Sequence, residues 1–384
     1  MTDWFSPAYK AGGPIRSCVN LAKALKNNFQ VYVLSTNFDA GERGAVLNVS
    51  PNHWIDFENK IKIKYLSRDN LNLSSIERNL EELQPDAIYL NSMFSLAFTI
   101  YPLIFYWTKK QSSTKIILAP RGMLQKGALQ YKSIKKKLFL FLFRSSGLTK
   151  RITFQATDLQ ELKDISNLLR IPKEEILLLE NLPEIGPNPL EGNNKKKNVL
   201  KLIFISRISA KKNLTFLLSC LKGFPSSIKV DLSIYGPIES QTYWQKCKNL
   251  IADLPTSVDV TYRGSIKHEL VRTALQKHHF LVLLTHGENF GHVIFEAFSA
   301  GIPVIISDQT PWVNLKEKNI GWDIPLEKKS IVQEILVEAA EMETNNYIEM
   351  SKSARRFAEK HVEEKKLVER YCRLFNTDDQ GSIP

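Results

Sequence analysis

Short apolar runs alternate with amphipathic stretches along nearly the whole chain. In the first half the runs at 31–35, 61–65, 87–90, 115–118 and 151–155 have the length and β-branched content of buried strands. Helical periodicity falls between them, from 15 to about 26, around 73–83, over 93–107, in a basic stretch after 119–123, and at 158–169. The alternation breaks across 181–198, which is rich in Pro, Gly, Asn and charge. It resumes with strands at 200–206, 229–235, 258–262, 280–284 and 304–306, separated by helices at 213–221, 241–250 and 268–276. From about 330 the chain reads as helical and charged.

Strands alternating with helices predict parallel sheets covered on both faces. The expected fold is therefore α/β, with two doubly wound, Rossmann-like domains facing across a cleft. The expected divisions are 1–183, 199–355, and a C-terminal helix and tail at 356–384 that can return to the first domain. A doubly wound domain should open with a buried strand, yet only Thr2-Asp-Trp-Phe-Ser precedes Pro7. Either that strand is very short or the start is truncated.

Length and composition narrow the class without changing the fold. The chain has 384 residues, enough for two cores, and its 43% hydrophobic content is ordinary for a soluble protein. Cys18, Cys220, Cys247 and Cys372 are scattered, without metal-ligand spacing, and read as thiols in a reducing cytoplasm. The start shows neither the basic region nor the apolar run of a signal peptide. The apolar stretch 93–107 is too short to span a bilayer and is interrupted by Pro102.

Charge adds a further feature. The formal net charge is +12, and from 87 to 157 there is no Asp or Glu but there are twelve basic residues. At its centre, Ile134-Lys-Lys-Lys-Leu-Phe-Leu-Phe-Leu-Phe-Arg144 sets a basic cluster against an apolar run. Two readings stay open. One is a solvated helix end followed by core residues. The other is docking on an anionic membrane surface through 109–151, where each cation adds about 1 kcal/mol. Nucleic acid is not an expected partner, because no recognised binding module accompanies the patch.

The candidate chemistry centres on Gly287-Glu-Asn-Phe-Gly-His-Val-Ile-Phe-Glu296, followed by Ala297-Phe-Ser-Ala-Gly-Ile-Pro-Val. Two glutamates on a surface helix would be unremarkable. Here they lie in a strand–loop–helix–strand unit, where open α/β sheets bind ligands at the carboxyl ends of strands. Glu288 falls in the loop and Glu296 about two turns into the helix, roughly 12 Å away at the helical rise. The backbone amides of Asn289, Phe290 and Gly291 are expected to open that helix, where its dipole favours a phosphate. The layout suits a nucleotide-sugar donor.

This segment resembles the family-4 retaining glycosyltransferases of GT-B fold, which carry a Glu-x7-Glu signature followed by such a strand. The resemblance implies that Glu288 holds the donor sugar and Glu296 the ribose. It also implies that Arg207 and Lys212, in Arg207-Ile-Ser-Ala-Lys-Lys212, hold the donor diphosphate, where charge builds as the sugar departs. Lys211 could exchange roles with Lys212. Gly12 and Gly13 look like the family's N-terminal loop, and Gly236 like its turn beside the nucleotide base. The chain departs from the pattern at Ala119-Pro-Arg-Gly-Met123, where many relatives carry a His. Arg121 can substitute there, contacting acceptor or donor phosphate, or be structural, and Glu161 resembles a position near the cleft. His292 reads as a packing or base-side residue.

The implied activity is a retaining, metal-independent transfer from a nucleotide-diphosphate sugar to a saccharide or lipid-linked acceptor in cell-surface polysaccharide synthesis. No cofactor beyond the donor is expected, and the location expected is cytoplasmic or peripheral on the inner face of the membrane. A nucleotide-sugar epimerase and a non-catalytic nucleotide-sugar-binding subunit are the alternatives.

Overall fold

The structure, a computed structural model, describes residues 1–42, 47–109, 113–125, 129, 133–188 and 195–376. The chain forms two compact units: Met1–Leu182 with Lys366–Pro384, and Pro183–Lys365. Lys110, Lys126 and Lys132 of the basic stretch, 189–194 of the expected linker, and the tail from 377 lie outside the described residues.

The first unit begins with α1 (Gly13–Leu25) and β1 (Val31–Thr36). Two strands absent from the sequence reading or extended beyond it follow: β2 (Trp54–Glu58) and β3 (Ile61–Leu66). β3 is parallel to β1, and β2 is antiparallel on its outer edge. Next come α2 (Leu73–Leu83), capped by the Asn72 side chain, and β4 (Ala87–Leu90). A π-turn over Leu96–Ile100 leads into α3 (Tyr101–Thr108). Pro102 thus starts a helix rather than breaking one, since its missing N–H has no partner to lose in a first turn. Then follow β5 (Lys115–Leu118), α4 (Ser133–Ser145), β6 (Ile152–Ala156), α5 (Leu159–Leu169) and β7 (Ile176–Leu178). Strands β4 to β7 form a parallel sheet in chain order.

Residues 1–3 lie between β1 and β4. The Thr2 N–H donates to Leu34 O at 3.1 Å, and the Asn91 N–H to Met1 O at 3.2 Å. The Thr36 N–H donates to Asp3 O, and the terminal amine of Met1 to Tyr89 O at 2.8 Å. This short segment takes the place of a first strand.

The second unit holds β8 (Val199–Ile205), α6 (Leu214–Leu221), β9 (Lys229–Tyr235), α7 (Gln241–Ala252), β10 (Val258–Tyr262) and α8 (His268–Gln276). It continues with β11 (Phe280–Leu283), α9 (His292–Ser299), β12 (Val304–Ser307), β13 (Gly321–Ile324), α10 (Lys329–Glu341) and α11 (Thr344–Lys365). The sheet is fully parallel in the order β10-β9-β8-β11-β12-β13, and every residue of β11 and β12 is buried. A parallel sheet needs both faces covered, which explains the continuous apolar runs.

α11 runs unbroken past 356, so the passage back to the first unit lies at Lys366, a left-handed residue with φ 43°. There α12 (Leu367–Phe375) joins Leu21 and Leu25 of α1 through Leu367, Tyr371 and Leu374. The Tyr371 hydroxyl donates to Glu180 O at 3.0 Å and accepts from Gln155 Nε2 at 2.8 Å.

Candidate functional site

β8 and β11 are neighbours at the centre of the second sheet, with Leu202 opposite Phe280 and Ile203 opposite Leu281. The chain leaves β8 toward β9 on one side and leaves β11 toward β12 on the other. Their outgoing loops therefore diverge and open a crevice at the strands' carboxyl ends, the position where such sheets bind ligands.

Lys212 and Glu288 join the two loops: the ammonium donates to Glu288 Oε1, and the side chains are only 9% and 16% exposed. Backbone contacts fix the same junction. The His286 N–H donates to Lys211 O at 2.9 Å, the Thr285 hydroxyl to Lys211 O at 3.1 Å, and the Glu288 N–H to Gln309 O at 3.1 Å. Burial, with Lys212 and Arg207 close by, pushes the Lys211 ammonium below its ordinary pKa. Arg207 bonds Glu239 at 2.9 Å, with both side chains about half exposed, so this pair is weak and easily exchanged. Arg207, Lys211 and Lys212 thus cluster beside only two paired carboxylates, Glu288 and Glu239, an arrangement that favours an added anion.

The signature helix starts later than the sequence suggested. α9 begins at His292, with Gly291 as its N-cap in the left-handed region at φ 73°. Asn289, Phe290 and Gly291 form the loop leading to the helix and do not open it; this corrects the expected start. A Cβ at Gly291 would come 2.8 Å from Ile294 Cδ1, which explains glycine there. The Phe290 ring is buried against Trp312 and Phe295, and its carbonyl accepts from the Trp312 indole. The side chain anchors the loop from behind. Glu296 lies in the body of α9, 3.6 Å from Nδ1 of His268, the first residue of α8. Sequence reasoning passed over His268 because its neighbour in space is 28 residues away in the chain.

Gly236 ends β9 at φ 142°, and a Cβ would sit 1.8 Å from Ser206 O, beside Arg207. Its carbonyl accepts from the Tyr262 hydroxyl at 2.9 Å. The glycine is demanded by backbone packing at the rim of the crevice.

In the first unit, Gly12 is the N-cap of α1 at φ 67°, with open space where a side chain would project, and Gly13 is the helix's first residue. The preceding amides of Tyr9 and Lys10 donate to the Asp39 carboxylate at 2.9 and 3.1 Å. Arg121 donates through Nε to Asn91 at 2.7 Å, through one terminal nitrogen to Tyr89 Oη at 2.7 Å, and through the other to Asn181. Glu161 is 1% exposed and accepts from the Gly122 N–H, the Thr157 N–H and the Thr157 hydroxyl. The two residues brace the 119–123 loop from inside the fold.

The structure therefore brings Arg207, Lys211, Lys212, Glu288 and Gly236 to one rim, with Glu296 on the adjoining helix. Arg121 and Glu161 meet at a loop of the other unit. Among the described residues no group of three His, Cys, Asp or Glu could hold a metal, and no helix is long and apolar enough to cross a membrane.

Residues 189–360 match the family described as Glycosyl transferases group 1. No curated protein sequence matches the chain. Among solved structures, HepE of Anabaena, in complex with UDP and glucose, superposes with a TM-score of 0.66 at 14% identity, over 96% of this chain and 97% of that one. Sucrose-phosphate synthase of Thermosynechococcus elongatus gives 0.67 at 14%, over 95% and 93%. WaaG, a glycosyltransferase involved in lipopolysaccharide biosynthesis, gives 0.61 at 14%, over 96% and 97%. These likenesses show the GT-B fold. Together with the group 1 domain match, they support a glycosyltransferase.

Proposed function

We propose that the chain is a retaining, metal-independent glycosyltransferase that moves a sugar from a nucleotide-diphosphate donor to a saccharide or lipid-linked acceptor of a cell-surface polysaccharide. The observation that carries this reading is the Lys212–Glu288 pair within a cationic rim at the sheet's switch point. Without donor, Glu288 offsets Lys212. A diphosphate would take over Lys212 and Arg207, whose bond to Glu239 is readily exchanged. Glu288 is then released to accept hydrogen bonds from sugar hydroxyls, and Glu296 is left to the ribose. That HepE is seen with UDP-glucose supports a donor of this class. The departing phosphate can itself take the acceptor's proton, so front-face transfer needs no protein base.

The test is Glu288→Gln, measured for UDP-, GDP- and ADP-sugar binding and for transfer. The expected result is a loss of turnover of a hundredfold or more, with donor binding partly kept. Unchanged transfer would remove the assignment. An epimerase would release altered sugar nucleotide without acceptor, and a binding subunit would show no turnover in either form.

A second observation favours work at an anionic lipid surface on the inner face of the cell membrane. On α4, Ile134, Leu138, Phe141 and Leu142 are 56–82% exposed while Leu140 and Phe143 are buried. The exposed four recur at helical spacing and form one apolar stripe, with Lys135 and Lys137 in solvent between them. The apolar run is thus divided between core and surface, and the surface share has the composition of an interfacial helix.

A further inference from the structure

α8 and α9 of the second unit are joined by polar contacts at two levels. Along α8, Val271 and Leu275 are buried while Glu269, Leu270 and Thr273 are exposed, so the inward stripe runs through 268, 271, 272 and 275. That stripe opens on His268, the helix's first residue, where a further apolar side chain would extend the core. Along α9, residues 294–299 are all buried except Glu296. The polar end of one stripe meets the single gap in the other: His268 Nδ1 lies 3.6 Å from Glu296 Oε1. One turn further on each helix, Arg272 donates to Ser299 O at 3.2 Å. Arg355 of α11 donates to the same carbonyl, and the Ser299 hydroxyl accepts from the Gly186 N–H at 2.9 Å. Ser299 is thereby held from three sides, which fixes α8 against α9. The register that sets Arg272 on Ser299 sets His268 on Glu296.

This register bears on what Glu296 can do. A carboxylate has two oxygens with about four acceptor positions, and recognising the paired hydroxyls of a ribose requires both oxygens at one rotation. A glutamate side chain rotates freely unless something fixes it, and fixing it on binding costs rotamer freedom. His268 supplies the restraint in advance. It approaches Oε1 from the α8 side, and one contact is enough to set the rotation of the group. Site contacts of this kind are often long before the ligand arrives and tighten in the complex; 3.6 Å is about half an ångström beyond an N–H···O bond. The neutral ring can donate through Nδ1 and the protonated ring adds a charge, so the restraint holds in both forms.

We propose that His268 is a positioning residue for the donor's ribose: it orients the Glu296 carboxylate and so sharpens the choice of a ribonucleotide over its 2′-deoxy form. The inference rests on the proposed reading of Glu296 as the residue that takes the ribose. His268 acts through Glu296 and not on the base, so the effect should be the same whichever base the donor carries.

The test measures Kd for UDP, GDP and ADP and for their 2′-deoxy forms by calorimetry, on the full chain and on Glu296→Ala, His268→Ala and His268→Asn. For whichever nucleotide binds tightest, the natural chain should prefer the ribose form about thirtyfold, and Glu296→Ala should bring that ratio close to unity. His268→Ala should lower it about threefold, the size expected of a partly exposed pair, while moving Tm by no more than about 2 °C. His268→Asn, whose amide nitrogen can stand where Nδ1 does, should keep the natural ratio. A ratio untouched by Glu296→Ala would overturn the reading of the donor site and the inference together. A ratio lowered by Glu296→Ala and unmoved by His268→Ala would overturn the inference alone. So would an equal weakening of the ribose and 2′-deoxyribose forms in His268→Ala, which would mark His268 as a support for packing only.

Discussion

Lys212 and Glu288 form an ion pair between the loops that leave two adjacent strands, and both are largely shielded from water. Removing one partner leaves the other buried and unmatched. Lys212→Met should cost the second unit about 2 kcal/mol and weaken donor binding at least tenfold. Adding Glu288→Gln should restore most of the stability and none of the turnover. A thermal double-mutant cycle checks this, and a coupling energy near zero would contradict it.

Two glycines at candidate sites should respond differently to alanine. At Gly236 the added methyl would lie 1.8 Å from Ser206 O, so Gly236→Ala should cost about 3 kcal/mol or more and disturb the rim beside Arg207. At Gly12 the space is open and only the backbone resists, at φ 67° and ψ −119°, so Gly12→Ala should cost about 2 kcal/mol. Chemical denaturation of both variants gives the comparison directly.

Arg121 holds Asn91, Asn181 and Tyr89 with a planar fork that lysine cannot reproduce. Arg121→Lys should therefore destabilise the first unit by about 2 kcal/mol. If stability is unchanged while transfer collapses, Arg121 acts on a substrate instead.

His279 is 2% exposed, accepts from the Lys201 N–H at Nδ1, and has its pKa pushed down to about 3, chiefly by burial. The unfolded chain takes up this proton near pH 6.5 and the folded chain only near 3, so the folded pKa is depressed. The stability contributed is full above pH 6.5 and is lost as pH falls toward 3, by about 1.4 kcal/mol per pH unit. Urea midpoints from pH 7 to 4.5 should fall more steeply in the natural chain than in His279→Gln. Parallel slopes would show that His279 is not the group responsible.

For the α4 stripe, co-sedimentation with anionic vesicles should weaken as salt rises. It should drop several-fold in a Lys135→Glu, Lys136→Glu, Lys137→Glu chain, and again in Phe141→Asp. Retained binding after the charge reversal would sink the membrane reading.

Much of the fold was legible because buried parallel strands leave continuous apolar runs; 87–90, 115–118 and 258–262 are found at their expected bounds. β7 and β13 escaped notice because they are only three and four residues long, the first following a charged turn and the second opening on Gly321. β2 escaped because it is an antiparallel edge with half-exposed positions. In the candidate site, Lys212 and Glu288 were readable from motif spacing, but their pairing was not, since 76 residues separate them. Arg121 and Glu161 illustrate the converse. A charge enclosed by hydrogen bonds has the same letters as one waiting for a substrate, and burial alone tells them apart.

The docking of α12 on α1 bears on how the protein is made. The second unit is one contiguous stretch, so it can fold as soon as it leaves the ribosome. The first unit lacks Leu367, Tyr371 and Leu374 of its own core until α12 emerges, and Gln155 waits as long for the Tyr371 hydroxyl. Although synthesised first, the first unit is completed last. Mutations that slow α12 docking should therefore prolong its exposure to proteolysis and aggregation, even where the finished protein is stable.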